Sequence, residues 1–177
     1  KRLLIANRGE IASRIISSAH DMGISCVAIY TEADKDTPYV READQAFKLS
    51  DSYLNSKEIL DIALKSNSDA IHPGYGFLSE NAAFANQVKK LNIKWVGPSS
   101  NAIKKMGDKL TAKEIAIKAN VPTLPMTSDP KKANSIGYPI LVKAAAGGGG
   151  KGMRIVEKAK DLNCLLYTSP SPRDSDQ

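Results

Sequence analysis

Residues 143–154, KAAAGGGGKGMR, place four consecutive glycines, Gly147, Gly148, Gly149 and Gly150, between Lys143 and Lys151. A phosphate group is held best by several backbone N–H donors converging on one point, and only residues without side chains let the backbone come that close. A nearby lysine adds a compact positive charge for the same oxygens. The pattern therefore points to a polyphosphate under a glycine loop, but two familiar phosphate loops do not fit. Gly147, Gly149 and Gly152 have GxGxxG spacing, yet that fingerprint must open a helix, and the MRIVE that follows reads as a strand. A Walker A loop fails too, because Gly152 follows Lys151 where Ser or Thr is needed and Ala145 takes the first glycine position. What remains is a lid between two antiparallel strands, or a plain flexible hairpin loop. Lys143 stands beside Ile140, Leu141, Val142 and Ala144. It either points outward from an amphipathic strand or is buried against an anion, since an unpaired buried ammonium is very costly.

The elements that must carry this loop follow from apolar period. Runs rich in β-branched residues alternate with segments of helical spacing, which predicts parallel strands with helical crossovers. Strands are expected at 2–6, 26–30, 70–72 and 94–96. Ile11, Ile15, Ala19 and Met22 fall on one face of a helix that Gly23 ends. Further helices are expected at 57–65 and from Ser79 to about Leu91, with the PGYGF loop between strand and helix. A helix over 110–119 stops at Asn120 and Pro122, and Pro125 and Pro130 prolong the break. Strands at 140–144 and 153–157 then flank the glycines as a hairpin. The expected fold class is α/β: a Rossmann-like domain over 1–107, then an incomplete α+β domain over 108–162.

Composition excludes several classes. With 177 residues, 42% hydrophobic and 25% charged, the chain is long enough to bury a core, and no apolar run approaches a membrane span. The two cysteines, Cys26 and Cys164, have no CxxC pair or His/Cys cluster along the sequence, so neither a disulfide nor a zinc motif is legible. The net charge of +6 fits an anionic ligand or a lysine-rich surface. Its lysines lack the interleaved aromatics of single-stranded nucleic-acid grooves, so no nucleic-acid partner is expected. The segment 163–177, ending in SPSPRDSDQ, breaks the preceding helical pattern with prolines. It reads either as a disordered natural terminus or, preferably, as foreign sequence after a truncation.

Several motifs together resemble one family. IANRGEIA (5–12), HPGYGFLSEN (72–81), GPS (97–99), MGDK (106–109) and KAAAGGGGKGMR (143–154) are similar, in order and spacing, to the N-terminal part of biotin carboxylase. This is the ATP-dependent component of acyl-CoA and pyruvate carboxylases, and the likeness covers residues 1 to about 162. The resemblance implies a preATP-grasp domain and the start of an ATP-grasp domain. It also implies ATP-driven activation of bicarbonate through carboxyphosphate, followed by carboxylation of N1 of carrier-bound biotin. By the same resemblance, Lys109 and Lys143 are the ATP-contacting lysines and Gly149 and Gly150 the lid glycines over the phosphates, with Gly147 and Gly148 in the same ATP-binding loop. Lys151 stands where many relatives have arginine. Tyr75, Gly76 and Glu80 are candidate cleft residues on the biotin or bicarbonate side. Alternatively, His72, Pro73 and the glycines only shape a turn, and Glu80 answers the helix dipole. NRGE (7–10) reads as structural, and His20 is assigned no role.

Magnesium ligands, the catalytic base and a biotin-side arginine are implied beyond this segment, so the chain alone is expected to be inactive. Implied partners are the biotin carboxyl carrier domain, the carboxyltransferase component and a second copy in a homodimer, with no membrane partner. The implied location is cytoplasmic, or the mitochondrial matrix in a eukaryote. Two alternatives are another ATP-grasp ligase of the carbamoyl-phosphate synthase kind and a non-catalytic nucleotide-binding module.

Overall fold

The computed structural model describes residues 1–143 and 153–162. Two compact units divide the chain, Lys1–Ala112 and Lys113–Gln177. In the first, β1 (Arg2–Ile5), β2 (Ser25–Tyr30), β3 (Gln45–Lys48), β4 (Ala70–His72) and β5 (Lys94–Trp95) form one parallel sheet in the order β3-β2-β1-β4-β5. The connecting helices are α1 (Gly9–Asp21), α2 (Pro38–Glu42), α3 (Ser56–Lys65) and α4 (Ala82–Lys90), with α5 (Ser100–Gly107) after β5. The Rossmann-like topology expected from the sequence is the one that forms.

Strand side chains alternate between faces, and both faces here are covered. Leu3, Ile5, Cys26 and Ala28 pack against Ile11, Ala12, Ile15, Ile16 and Ala19 of α1 on one side. Leu4, Val27, Ile29 and Ile71 meet Ile59, Ile62, Phe84 and Val88 of α3 and α4 on the other. Phe84 also meets Trp95 edge-on, with ring centroids 5.7 Å apart. Truncating such a buried aromatic to alanine costs about 3–5 kcal/mol.

Several local expectations change. Met22 does not share the buried face of α1; it is the C-cap residue and 74% exposed, because the helix ends before its side chain can turn inward. The helix expected from Ser79 begins at Ala82, where Asn81 is the cap and its side chain accepts the Phe84 N–H at 2.9 Å. The backbone N–H of Ser79 instead closes a turn onto the Gly76 carbonyl. Between Thr31 and Ser56, where apolar period predicts nothing, lie α2 and the edge strand β3. The first strand ends at Ile5, although Ala6 still donates to the His72 carbonyl.

α6 (Lys109–Lys118) begins in the first unit and continues into the second. Its first turn is fastened by the Asp108 carboxylate, which accepts the Thr111 N–H at 2.7 Å. In the second unit β6 (Ile140–Val142) and β7 (Arg154–Val156) pair antiparallel, Leu141 opposite Ile155. This is the hairpin expected around the glycines. Val156 and Leu162 are buried with Ala133, while Leu141 and Ile155 on the opposite face are exposed. No helix among the described residues is long and apolar enough to cross a membrane.

Candidate functional site

An open parallel sheet binds ligands beyond the carboxyl ends of its strands, at the point where strand order reverses direction. That point here lies between β1 and β4, which are neighbours in the sheet although α1, β2, α2, β3 and α3 intervene in sequence. The residues that leave these two strands are those of the NRGE and PGYGF motifs, 7–10 and 73–77.

Asn7 joins them. Its side-chain amide donates to the Pro73 carbonyl at 2.7 Å and to the Tyr75 carbonyl at 2.8 Å, while its Oδ1 accepts the Arg8 N–H at 2.9 Å. Asn7 is 2% exposed, and its bond to the Pro73 carbonyl is made out of water. Gly74 lies against it with φ of +64°, and a Cβ there would stand 2.5 Å from Asn7 Nδ2. Only glycine combines the left-handed backbone with that approach. His72 Nδ1 accepts the Gly74 N–H at 3.0 Å, and burial, then the Arg14 charge, lowers the imidazole's pKa. The turn-shaping role for His72, Pro73 and Gly74 therefore has concrete bonds behind it.

A second tie reaches the loop from the side. Asp34, 3% exposed, accepts Arg8 Nη2 on Oδ1 at 2.6 Å. Its Oδ2 accepts the Tyr53 hydroxyl at 2.6 Å and Thr31 Oγ1 at 3.2 Å. Tyr39 Oη lies 2.9 Å from Tyr53 Oη and 3.2 Å from the Ile29 carbonyl oxygen, which share its one proton. Burial, then the bond to Asp34, raises the Tyr53 pKa; burial chiefly raises that of Tyr39. The Arg8 guanidinium lies over the Tyr53 ring at 5.8 Å, and Phe77 packs against the same ring at 5.2 Å. Thus the side chain of Phe77, itself at φ of +42°, is fixed through Tyr53 to Arg8 and Asp34. NRGE is structural as expected, but it acts directly on the loop that carries the candidate residues.

Of the predicted site residues, Tyr75, Gly76 and Glu80 come together on this loop and all are exposed, Tyr75 by 62%. Gly76 adopts φ of +64°. Glu80 lies just before the α4 cap, outside the helix. Lys109 is exposed at the first residue of α6. Lys143 is exposed immediately after β6. Gly147, Gly148, Gly149 and Gly150 lie outside the described residues, as do Lys151 and the tail from residue 163. Sequence reasoning missed Asp34 and Tyr53, which sit in a polar stretch without apolar period. Asn7 could have been found from its position directly after the first strand.

Two family models match: "Biotin carboxylase, N-terminal domain" over residues 1–103, and "Carbamoyl-phosphate synthase L chain, ATP binding domain" over residues 108–172. Among curated relatives, biotin carboxylase 1 of Bacillus subtilis is 49% identical over 92% of this chain and 39% of its own length. The mitochondrial methylcrotonoyl-CoA carboxylase subunit alpha of Dictyostelium discoideum is 48% identical over 91% of this chain and 25% of its own. The chain thus spans between a quarter and two fifths of these relatives. Among solved structures, the biotin carboxylase–beta-gamma-ATP complex from Campylobacter jejuni has a TM-score of 0.89 at 44% identity, covering 96% of this chain and 41% of that one. The biotin carboxylase domain dimer of Hydrogenobacter thermophilus 2-oxoglutarate carboxylase, in complex with MgADP, ADP and bicarbonate, has a TM-score of 0.88 at 41% identity, covering 96% and 40%.

Proposed function

The chain belongs to the biotin carboxylase family, and on that premise we propose that it supplies the amino-terminal part of an enzyme that uses ATP and bicarbonate to carboxylate biotin. ATP phosphorylates bicarbonate, and the carboxyl group of the resulting carboxyphosphate passes to N1 of biotin on a carrier domain. The ATP-binding match is described by its carbamoyl-phosphate synthase relatives, but the amino-terminal match and the curated relatives favour the biotin enzyme.

The observation that carries the reading is the Asn7 clamp. It ties the two most family-specific motifs together at the switch point, and so presents Tyr75, Gly76 and Glu80 where an α/β sheet takes its ligand. On this proposal the exposed loop backbone at Gly76 and the Glu80 carboxylate face the biotin or bicarbonate side of the cleft. Lys109 and Lys143 neutralise ATP phosphate oxygens, since phosphoryl transfer asks the protein mainly for positioning and charge. Gly147, Gly148, Gly149 and Gly150 close as a lid, which keeps water from hydrolysing carboxyphosphate. Magnesium would supply further positive charge for the phosphates, and the resemblance implies that its ligands belong to a part of the protein outside this chain. A carrier domain, a carboxyltransferase and a second copy complete the assembly, in the cytoplasm or a mitochondrial matrix. Carboxylation assays of the full-length protein test this: phosphate release from ATP rises when bicarbonate and free biotin are added together. Release indifferent to both refutes it.

A further inference from the structure

We infer that His20, Cys26 and Asp44 form a binding site for a thiophilic divalent cation of the zinc class, at the end of the five-stranded sheet opposite the Asn7 clamp. The inference is independent of the proposed function. His20 sits in the last turn of α1, Cys26 is the second residue of β2, and Asp44 immediately precedes β3. These positions are far enough apart in sequence to give no motif. The fold nevertheless brings one imidazole nitrogen, one thiol sulfur and one carboxylate oxygen to within 4.8 Å of one another.

Bonds of about 2.0–2.3 Å in a tetrahedral zinc site set ligand atoms roughly 3.3–3.8 Å apart. His20 Nε2 and Asp44 Oδ2 are 2.9 Å apart, so that pair must open slightly to admit the ion. Both side chains are partly in solvent, 41% and 48% exposed, and have room to turn. The buried sulfur is the fixed point: it lies 3.7 Å from the Ile24 carbonyl oxygen and 4.0 Å from that of Ile16. The Cys26 N–H donates to Asp44 Oδ2 at 2.7 Å and orients that ligand from behind, as outer-shell partners do in metal sites. On the solvent side His20 borders a groove of about 700 Å³ whose walls include Asp21 and Glu42.

The donor set selects the cation. One carboxylate is too few oxygens for magnesium or calcium, whereas imidazole with thiolate suits zinc and its neighbours. The sulfur is buried, so the ion must be thiophilic enough to displace the thiol proton there. Binding breaks the S–H bond, forms the S–metal bond and releases that proton to solvent. The bound ion would fasten the end of α1 to the starts of β2 and β3.

Cobalt(II), which reports thiolate ligation by a charge-transfer band, is the probe, titrated into the 177-residue chain. The expected result is a saturable band at one ion per chain that zinc abolishes and magnesium does not. Cys164→Ser, which removes the second cysteine, keeps the band, and Cys26→Ser loses it. His20→Gln weakens binding about tenfold or more. A missing band, a band that survives Cys26→Ser, or one unmoved by His20→Gln overturns the site. If Cys26→Ser does not fold, His20→Gln decides alone, because its side chain packs in no core.

Discussion

Gly74→Ala and Asn7→Ala, made singly and together, probe the clamp at the switch point. In Gly74→Ala the new methyl meets Asn7 Nδ2 at 2.5 Å, Cγ at 2.9 Å and Cβ at 3.1 Å, on a backbone at φ of +64°. The left-handed conformation costs alanine about 1–2 kcal/mol. Pushing Asn7 aside removes its two bonds to the Pro73 and Tyr75 carbonyls, of which the first is buried, adding about 2–3 kcal/mol. The single substitution should therefore cost about 3–5 kcal/mol. Asn7→Ala alone should cost about 2–3 kcal/mol, because the same bonds are lost. In the Asn7→Ala background two of the three obstructing atoms are gone, so Gly74→Ala should cost only the backbone strain, about 1–2 kcal/mol. The double mutant should thus be about 2–3 kcal/mol more stable than the sum of its parts predicts. Urea titration followed by fluorescence of Trp95, the only tryptophan and buried in the first unit, reads this directly. Losses that add to within about 0.5 kcal/mol would refute the clamp.

Other consequences are independent. Tyr53→Phe leaves Asp34 Oδ2 without its 2.6 Å donor in a buried setting and should cost about 1–3 kcal/mol in the same titration, with the Phe77 ring contact kept. The His72 pKa is lowered on folding, so the unfolded chain binds the proton more tightly. Stability from this residue is complete above about pH 6.5, declines as pH falls below that value, and is gone below the folded pKa. His72→Gln should flatten this part of the pH–stability curve, and an unchanged slope would contradict the assignment. In the full-length protein Lys143→Met should weaken ATP binding by about tenfold or more while leaving the urea midpoint of the chain unchanged, since Lys143 is exposed. Equal ATP affinity would remove Lys143 from the site.

How legible these features were depends on burial. β1, β2 and β4 lie inside the sheet, and their runs LLI, CVAI and AIH announce themselves because both faces are covered. β3, QAFK, is an edge strand with three exposed residues, and no apolar period marks it. Ser79 and Asn81 are both good caps on sequence grounds; the buried Phe84 decides for Asn81, whose side chain takes its N–H. Met22 has helical spacing but falls where the helix ends. The motifs of the candidate site were visible as strings, yet the bonds from Asn7 and Asp34 that hold them join residues 66 and 26 positions apart. Only the assembled sheet makes such pairs neighbours. The same is true of His20, Cys26 and Asp44.

The central claim is that bicarbonate, rather than water, takes the phosphoryl group. The full-length protein, given ATP, biotin and bicarbonate labelled with heavy oxygen, measures it most directly. Carboxyphosphate keeps one bicarbonate oxygen on phosphorus when its carbon–oxygen bond breaks, so released phosphate should carry the label. Unlabelled phosphate, released at the same rate, would contradict the account.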